Sequence, residues 1–288
     1  MKIRKAVITA AARDQRHLPI QTLFDQNGIE RSILSMIVRE AHGSGIDEIC
    51  IVVWPGDQEV FAQLLASEAA KVTFVIQAEA RGYADAVYCA REFVAGEPFL
   101  HLVGDHIYAG TESGSCARRL VEVAATERCA VSAVQITRES LLPLYGTIGG
   151  QQIHGKPGLF RIDTVLEKPS PTQAELQLIV PGLRSGQYLC FHGMHVLTPV
   201  LFEILEQLQS SAAGGRVSLS LALAELARRE QYLALIQHSR RYDVGVKYGL
   251  LEAQLALALD GHDRDEVLTR VVNMLAQRQP HPINGASA

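Results

Sequence analysis

The chain has 288 residues, 48% of them hydrophobic and 20% charged, with a formal net charge of −4. That length can enclose a sizeable core, as one large α/β domain or a domain with appendages. The mildly acidic balance, without a basic run, removes the electrostatic case for a nucleic-acid partner, and no stretch approaches the roughly 18 consecutive apolar residues of a membrane span. The opening MKIRKAVITAA reads as the first strand of the fold and not as a signal peptide, because its apolar run is short and strand-like. Cys50, Cys89, Cys116, Cys129 and Cys190 form an odd, scattered set without a CxxC pair, as expected for free thiols in a reducing cytoplasm.

Strand and helix patterns alternate through the first half. AVITA is followed by a helical pattern over residues 31–41, with Ile33, Leu34, Ile37 and Val38 on one face and Gly43 and Gly45 at its end. EICIVVW is an apolar run typical of a strand buried on both faces. A helix over 58–69, the strand VTFVIQ, a helix over 83–94, the strand FLHLVGD, a helix over 117–126 and the strand AVSAVQI follow in order. This alternation predicts right-handed βαβ units and a largely parallel sheet with helices on both faces. The glycine-rich stretch 145–171 reads as short hairpins laid over a sheet edge. The strand YLCFHGMHVL, helices over 199–208 and 219–229, the strand YLALIQH and closing helices over 247–259 and 264–277 complete the pattern. SSAAGG (210–215) and the tail from residue 279 onwards read as mobile.

In an open parallel sheet, ligands bind beyond the carboxyl ends of the strands. The polar residues there are the loop over 10–19, QAEARGYADAV after the third strand, GDH after the fourth, EKP at 167–169 and YDVGVKYG at 242–249. Asp105 and Asp243 each follow a strand and together suggest a hard-cation site, since magnesium is held by one or two carboxylates with substrate phosphates completing its shell. His192 and His195 stand three apart in a strand pattern, a spacing that points them to opposite faces and away from shared ligation. His101 reads as a satisfied core histidine.

The ordered set KAVI, Arg16 with LP, QAEARGYADAV, GD, YG, EKP and DVGVKYG resembles the bacterial UTP–glucose-1-phosphate uridylyltransferases, within the sugar-1-phosphate nucleotidyltransferases, over roughly residues 3–260. The resemblance implies an α/β fold with a Rossmann-like mixed, mostly parallel sheet flanked by helices and with C-terminal helices. It implies a nucleotidyltransferase domain over 1–260, a helical extension over 261–278 and a flexible tail over 279–288. It also implies a cytoplasmic, Mg2+-dependent enzyme that makes UDP-glucose and pyrophosphate from UTP and glucose 1-phosphate, as a homodimer or higher homo-oligomer. Carried across by matching positions, Ala10 and Ala11 bring backbone to the nucleotide, and Gln77 and Gly82 read the base. Arg16 grips the triphosphate, Asp105 and Asp243 hold the metal, and Lys168 neutralises the attacking phosphate. Glu167, Gly146 and Gly193 contact the sugar.

The first loop departs from the family pattern. Where the relatives carry G-x-G-T-R and a lysine about ten residues later, this chain has Ala12, Arg13, Asp14, Gln15, Arg16 and Gln26. Two readings therefore stay open beside the enzyme: a catalytically weakened sugar-nucleotide-binding homologue, and a nucleotidyltransferase for another NTP or sugar 1-phosphate.

Overall fold

The computed structural model describes residues 1–109, 115–211 and 215–277. In chain order the elements are β1 (Lys5–Ala10), β2 (Thr22–Phe24), β3 (Glu30–Ser32), α1 (Ile33–Gly43), β4 (Glu48–Val53), α2 (Gln58–Leu64), β5 (Lys71–Ile76), α3 (Tyr83–Cys89), α4 (Arg91–Val94), β6 (Phe99–Val103) and β7 (His106–Ala109). They continue with α5 (Cys116–Glu127), β8 (Ala130–Arg138), β9 (Gly146–Gln152), β10 (Leu159–Glu167), α6 (Pro171–Gln177), β11 (Gln187–Leu197), α7 (Val200–Ser211), α8 (Leu219–Arg229), β12 (Tyr232–Ile236), β13 (Arg240–Asp243), α9 (Gly249–Leu259) and α10 (Arg264–Ala276). The tail over 279–288 and residues 212–214 of the expected mobile loop lie outside the described residues.

A 9-stranded sheet in the order β5-β4-β1-β6-β11-β8-β12-β10-β9 forms the spine. The β1, β4, β5 and β6 strands run parallel, as the apolar runs predict, while β11 pairs antiparallel with both β6 and β8. The glycine-rich middle differs from expectation. Its β9–β10 hairpin is hydrogen-bonded into the sheet through β12 and β11 instead of lying over the edge. Gly149 and Gly150 permit this, because a Cβ there would strike the backbone of Gln177 and Arg161 at 2.8 and 2.0 Å.

Local chemistry sets the helix ends. Ser32 caps α1 by accepting from the Ser35 amide, so the helix begins at Ile33 and buries Ile33, Leu34, Ile37, Val38 and Ala41. The helix expected over 83–94 is broken at Ala90 into α3 and α4, and Ala95 turns left-handed at φ 51°. Hydrophobic clusters fill both faces of the sheet, one around Ile8, Ile51, Leu102 and Met194 and the other around Val7, Phe99, Phe202 and Tyr232. Among the described residues, no helix is long and apolar enough to cross a membrane. All five cysteines are free, with Cys50, Cys129 and Cys190 buried.

Three histidines are sealed into the sheet layers: His101 and His192 are 0% exposed and His195 3%. The His101 Nδ1 donates to the Val7 carbonyl at 3.0 Å, which leaves Nε2 to accept from the Tyr83 hydroxyl at 2.7 Å and fixes the neutral tautomer. His195 meets Ser132 at 2.5 Å and stacks on His101, whereas His192 stacks on Tyr108 and donates from Nε2 to the Ser239 carbonyl. The two histidines thus have separate neighbours, and burial holds all three neutral.

Candidate active site

The Gly104 amide donates to the Thr9 carbonyl at 2.9 Å, keeping β6 beside β1 to its end, and Asp105 emerges there at the carboxyl end of the parallel strands. The chain then forms β7, which pairs antiparallel with β13 in the register His106↔Asp243 and Tyr108↔Arg241. Directly opposed residues share a face, so this ribbon carries His106, Tyr108, Arg241 and Asp243 on one side. Ile107 and Ala109, 2% and 3% exposed, enter the core from the other.

Ligand atoms of Asp105, His106 and Asp243 all lie within 4.8 Å of one another. The Asp105 carbonyl accepts from the Val244 amide at 2.9 Å, and Asp243 Oδ1 accepts from the Gly245 amide at 2.9 Å, so both acids are fixed through their main chain or their immediate turn. Burial works to raise the Asp105 pKa. The His106 Nδ1 contact at 2.6 Å and the charges of His106 and Arg241 outweigh it, and the carboxyl titrates below its ordinary value. Two carboxylates and an imidazole at this spacing fit a divalent cation.

Beside this cluster opens a cavity of ≈ 360 Å³ whose wall includes Gly82, Gly146, Glu167, Gly193, His106 and Arg241. Four of the residues singled out from the sequence therefore meet here. Glu167 is held by the Ser220 hydroxyl, which donates to its Oε2. At Gly146 a Cβ would meet Phe191 and Ser220 at 2.9 Å and Glu167 at 3.3 Å, so any side chain would crowd the carboxylate.

Gly193 has a different reason. The β11–β8 ladder slips between Phe191 and His195, and Gly193 takes φ +81° at that bulge. A Cβ there would meet Val103 at 3.0 Å and His106 and Tyr108 at 3.2 Å. Gly193→Ala is expected to cost about 1–3 kcal/mol of stability, read as a fall in melting temperature of several degrees. An unchanged melting curve would refute the strain argument.

On the far side, Gln77 is 4% exposed, and its Nε2 donates to the Gly82 carbonyl at 3.0 Å and to Asp85 Oδ2 at 2.7 Å. Gly82 takes φ 106° at the start of α3. Ala10 and Ala11 end β1, each 6% exposed, in the clusters on opposite faces of the sheet.

The first loop forms a short 3-10 turn over Arg13–Gln15, with Ala12 at φ −67°, an ordinary angle that alanine adopts without strain. Asp14 is exposed. The Arg16 guanidinium is closed on Asp57, its Nε donating to both carboxylate oxygens at 2.9 and 3.2 Å and its Nη2 to Oδ1. Arg13 stands over the Trp54 ring and Lys247 over the Tyr248 ring. The Gln26 carbonyl accepts from the His262 amide at 2.9 Å, tying the residue to the α9–α10 connection, and it lines a separate cavity of ≈ 450 Å³. Lys168 is exposed at φ 46°, its amide donating to the Tyr145 carbonyl at 3.2 Å, and it is absent from the wall of the smaller cavity. His106 and Arg241 were not singled out by sequence reasoning. The alternation R-Y-D places Arg241 on the face of Asp243 once a strand is assumed, and is the signal for it.

The family model described as nucleotidyl transferase matches residues 22–259, which begins after the altered loop. The chain is 30% identical over 286 residues to a UTP–glucose-1-phosphate uridylyltransferase of Streptococcus pyogenes, covering 90% of each, and 29% identical over 285 residues to that of Streptococcus pneumoniae serotype 4, covering 90% and 91%. A UDP-glucose pyrophosphorylase solved with UDP-glucose shares the fold at TM-score 0.72 and 21% identity, over 88% of this chain and 97% of that one. The UTP-bound enzyme from Acinetobacter baumannii does so at TM-score 0.75 and 22% identity, over 95% and 100%. The sheet order, the site at the strand ends and these matches agree: this chain belongs to the nucleotidyl transferase family.

Proposed function

We propose that the chain transfers a uridylyl group from UTP to glucose 1-phosphate, giving UDP-glucose and pyrophosphate, with Mg2+ held by Asp105 and Asp243. The observation that carries this reading is the meeting of two acids from distant parts of the chain beside a cavity walled by Glu167, Gly146 and Gly193. The relatives' names support the choice of uridine and glucose.

A divalent ion between the two aspartates would supply charge neutralisation and orientation of the triphosphate. The chain's own groups do the rest. Both Nε2 hydrogens of Gln77 are engaged, so its Oε1 is left to accept from the N3–H of uracil, a donor that cytosine lacks. Ala10 and Ala11 keep the strand end free of bulk under the nucleotide. Glu167, aimed by Ser220, accepts sugar hydroxyls. Arg16 reaches the triphosphate by exchanging Asp57 for phosphate oxygens, and Lys168 adds positive charge for the incoming phosphate. A sugar-phosphate oxygen attacks the α-phosphorus in line. The new P–O bond forms as the bond to the bridging oxygen of the β-phosphate breaks, and that electron pair leaves with pyrophosphate. No covalent enzyme intermediate is needed, so positioning and charge placement dominate.

The test is pyrophosphate release from UTP and glucose 1-phosphate with Mg2+, compared with CTP, ATP, GTP and dTTP and with other hexose 1-phosphates. UTP with glucose 1-phosphate is expected to give the highest kcat/KM. The Arg16–Asp57 pair favours one second reading, the weakened sugar-nucleotide-binding homologue. Calorimetric binding of UDP-glucose with no turnover across the panel would select it.

A further inference from the structure

The reaction presses a dianionic phosphate monoester against a triphosphate, and the cleft has to aim cations at both. Arg16 is closed on Asp57 and Lys168 lies outside the cavity wall. Arg241 is in that wall, half-buried, and among the described residues it forms no ion pair.

Its aim is built in. One Nη donates to the Phe191 carbonyl, and the guanidinium carbon sits 3.9 Å from the centre of the Tyr145 ring. Tyr145 precedes Gly146 and Phe191 lies two residues before Gly193, so the anchors of the guanidinium are continuous with the sugar wall. Along β13 it shares a face with Asp243, and its field reaches Asp105. One of its five N–H groups is taken by Phe191, which leaves a planar fork suited to paired phosphate oxygens. Arg216, the other arginine of the wall, has no hydrogen-bonded anchor among the described residues. A lysine could neither lie flat on Tyr145 nor present two parallel donors.

We propose that Arg241 binds the phosphate of the sugar 1-phosphate and orients its attacking oxygen toward the α-phosphorus, making it the residue that selects a phosphorylated sugar. This rests on the nucleotidyl-transfer reading above.

The test uses Arg241→Gln and Arg241→Lys in the full-length protein, with melting temperatures measured alongside because the side chain also bridges Tyr145 and Phe191. Arg241→Gln is expected to lower kcat/KM for glucose 1-phosphate by about 10²–10³-fold, the scale of losing one aimed donor, while KM for UTP stays within about 3-fold. Arg241→Lys recovers part of the loss, and added guanidinium ion raises the rate of Arg241→Gln selectively at low glucose 1-phosphate. Equal losses toward both substrates, or no loss, would overturn the assignment. Calorimetry separates it from the parent reading: glucose 1-phosphate is titrated into protein saturated with a UTP analogue carrying a methylene bridge between the α- and β-phosphates. Binding that Arg241→Gln weakens at least 10-fold supports Arg241 even if the wild type turns over no substrate pair. Unchanged binding overturns it even if the enzyme is active.

Discussion

Asp105→Ala is expected to lower pyrophosphate release from UTP and glucose 1-phosphate by at least about 10³-fold. Removing one well-placed electrostatic donor costs about 10²–10³ in rate, and here half of the carboxylate pair is lost from a site that must offset two polyanions. Asp243→Ala should cost a similar factor, and the double variant little more than either, because the two acids act as one unit. The fold should survive. The Asp105 carbonyl, not its side chain, receives the Val244 amide, and deleting one of two adjacent acids relieves repulsion. A second readout is independent of turnover. The wild type should gain several degrees of melting temperature with Mg2+ and UTP together, by mass action on the folded state, and both single variants should lose that gain. A variant that kept a tenth of the wild-type rate would defeat the proposed cation site.

The second large effect concerns acid. Burial pushes the pKa of His101 down to about 4 and of His192 to about 3, and that of His195 well below the ordinary value. Once unfolded, each titrates near pH 6.5. The unfolded chain therefore binds more protons than the folded one below that pH, and stability rises with pH through this window. Each histidine removes up to about 1.4 kcal/mol per pH unit on acidification, so the three together remove up to about 4 kcal/mol between pH 6.5 and 5.5. The effect continues until pH falls through the folded values. Neighbours do not rescue them: His101 faces Tyr83 and His195, and His192 faces Tyr108 and the positive charge of Arg241. Glu40 and Glu230, whose carboxyls burial pushes up, act in the opposite sense only in the carboxylate range. Urea midpoints between pH 8 and 5 should fall steeply below 6.5. His101→Gln should reduce the slope by about one proton, and a flat profile would reject the account.

The parallel half of the sheet was legible because each strand there is a run of apolar residues long enough to be read alone. The meeting of Asp105 and Asp243 was legible only through motif order. What brings them together is the β7–β13 ribbon, two four-residue strands whose pairing links distant parts of the chain. Strands that short carry too little periodicity to announce themselves. The break at Ala90 was hidden for a related reason, since the residues over 83–94 keep a helical pattern across it. The α6 helix was readable and was overlooked: Ser170, Pro171 and Gln173 form a capping box with proline at the first turn. Nothing local to Arg16 signals Asp57, 41 residues away, as its partner. Ala12 illustrates the converse. Its cost depended on one dihedral angle, and the angle is ordinary.

The ribbon also couples chemistry to folding. Its side chains alternate between hydrocarbon and the cleft, so sliding β13 by a single position against β7 would exchange the two sets. Asp243 would then point into the apolar layer beneath α1 and α9, and Tyr242 would take its place over the phosphates. A misaligned molecule of this kind would be inactive and would also carry an unpaired acid in its interior. The same alternation that presents the cation ligands thereby rejects the wrong pairing, and correct assembly of the catalytic edge is enforced by the insolubility of charge in oil.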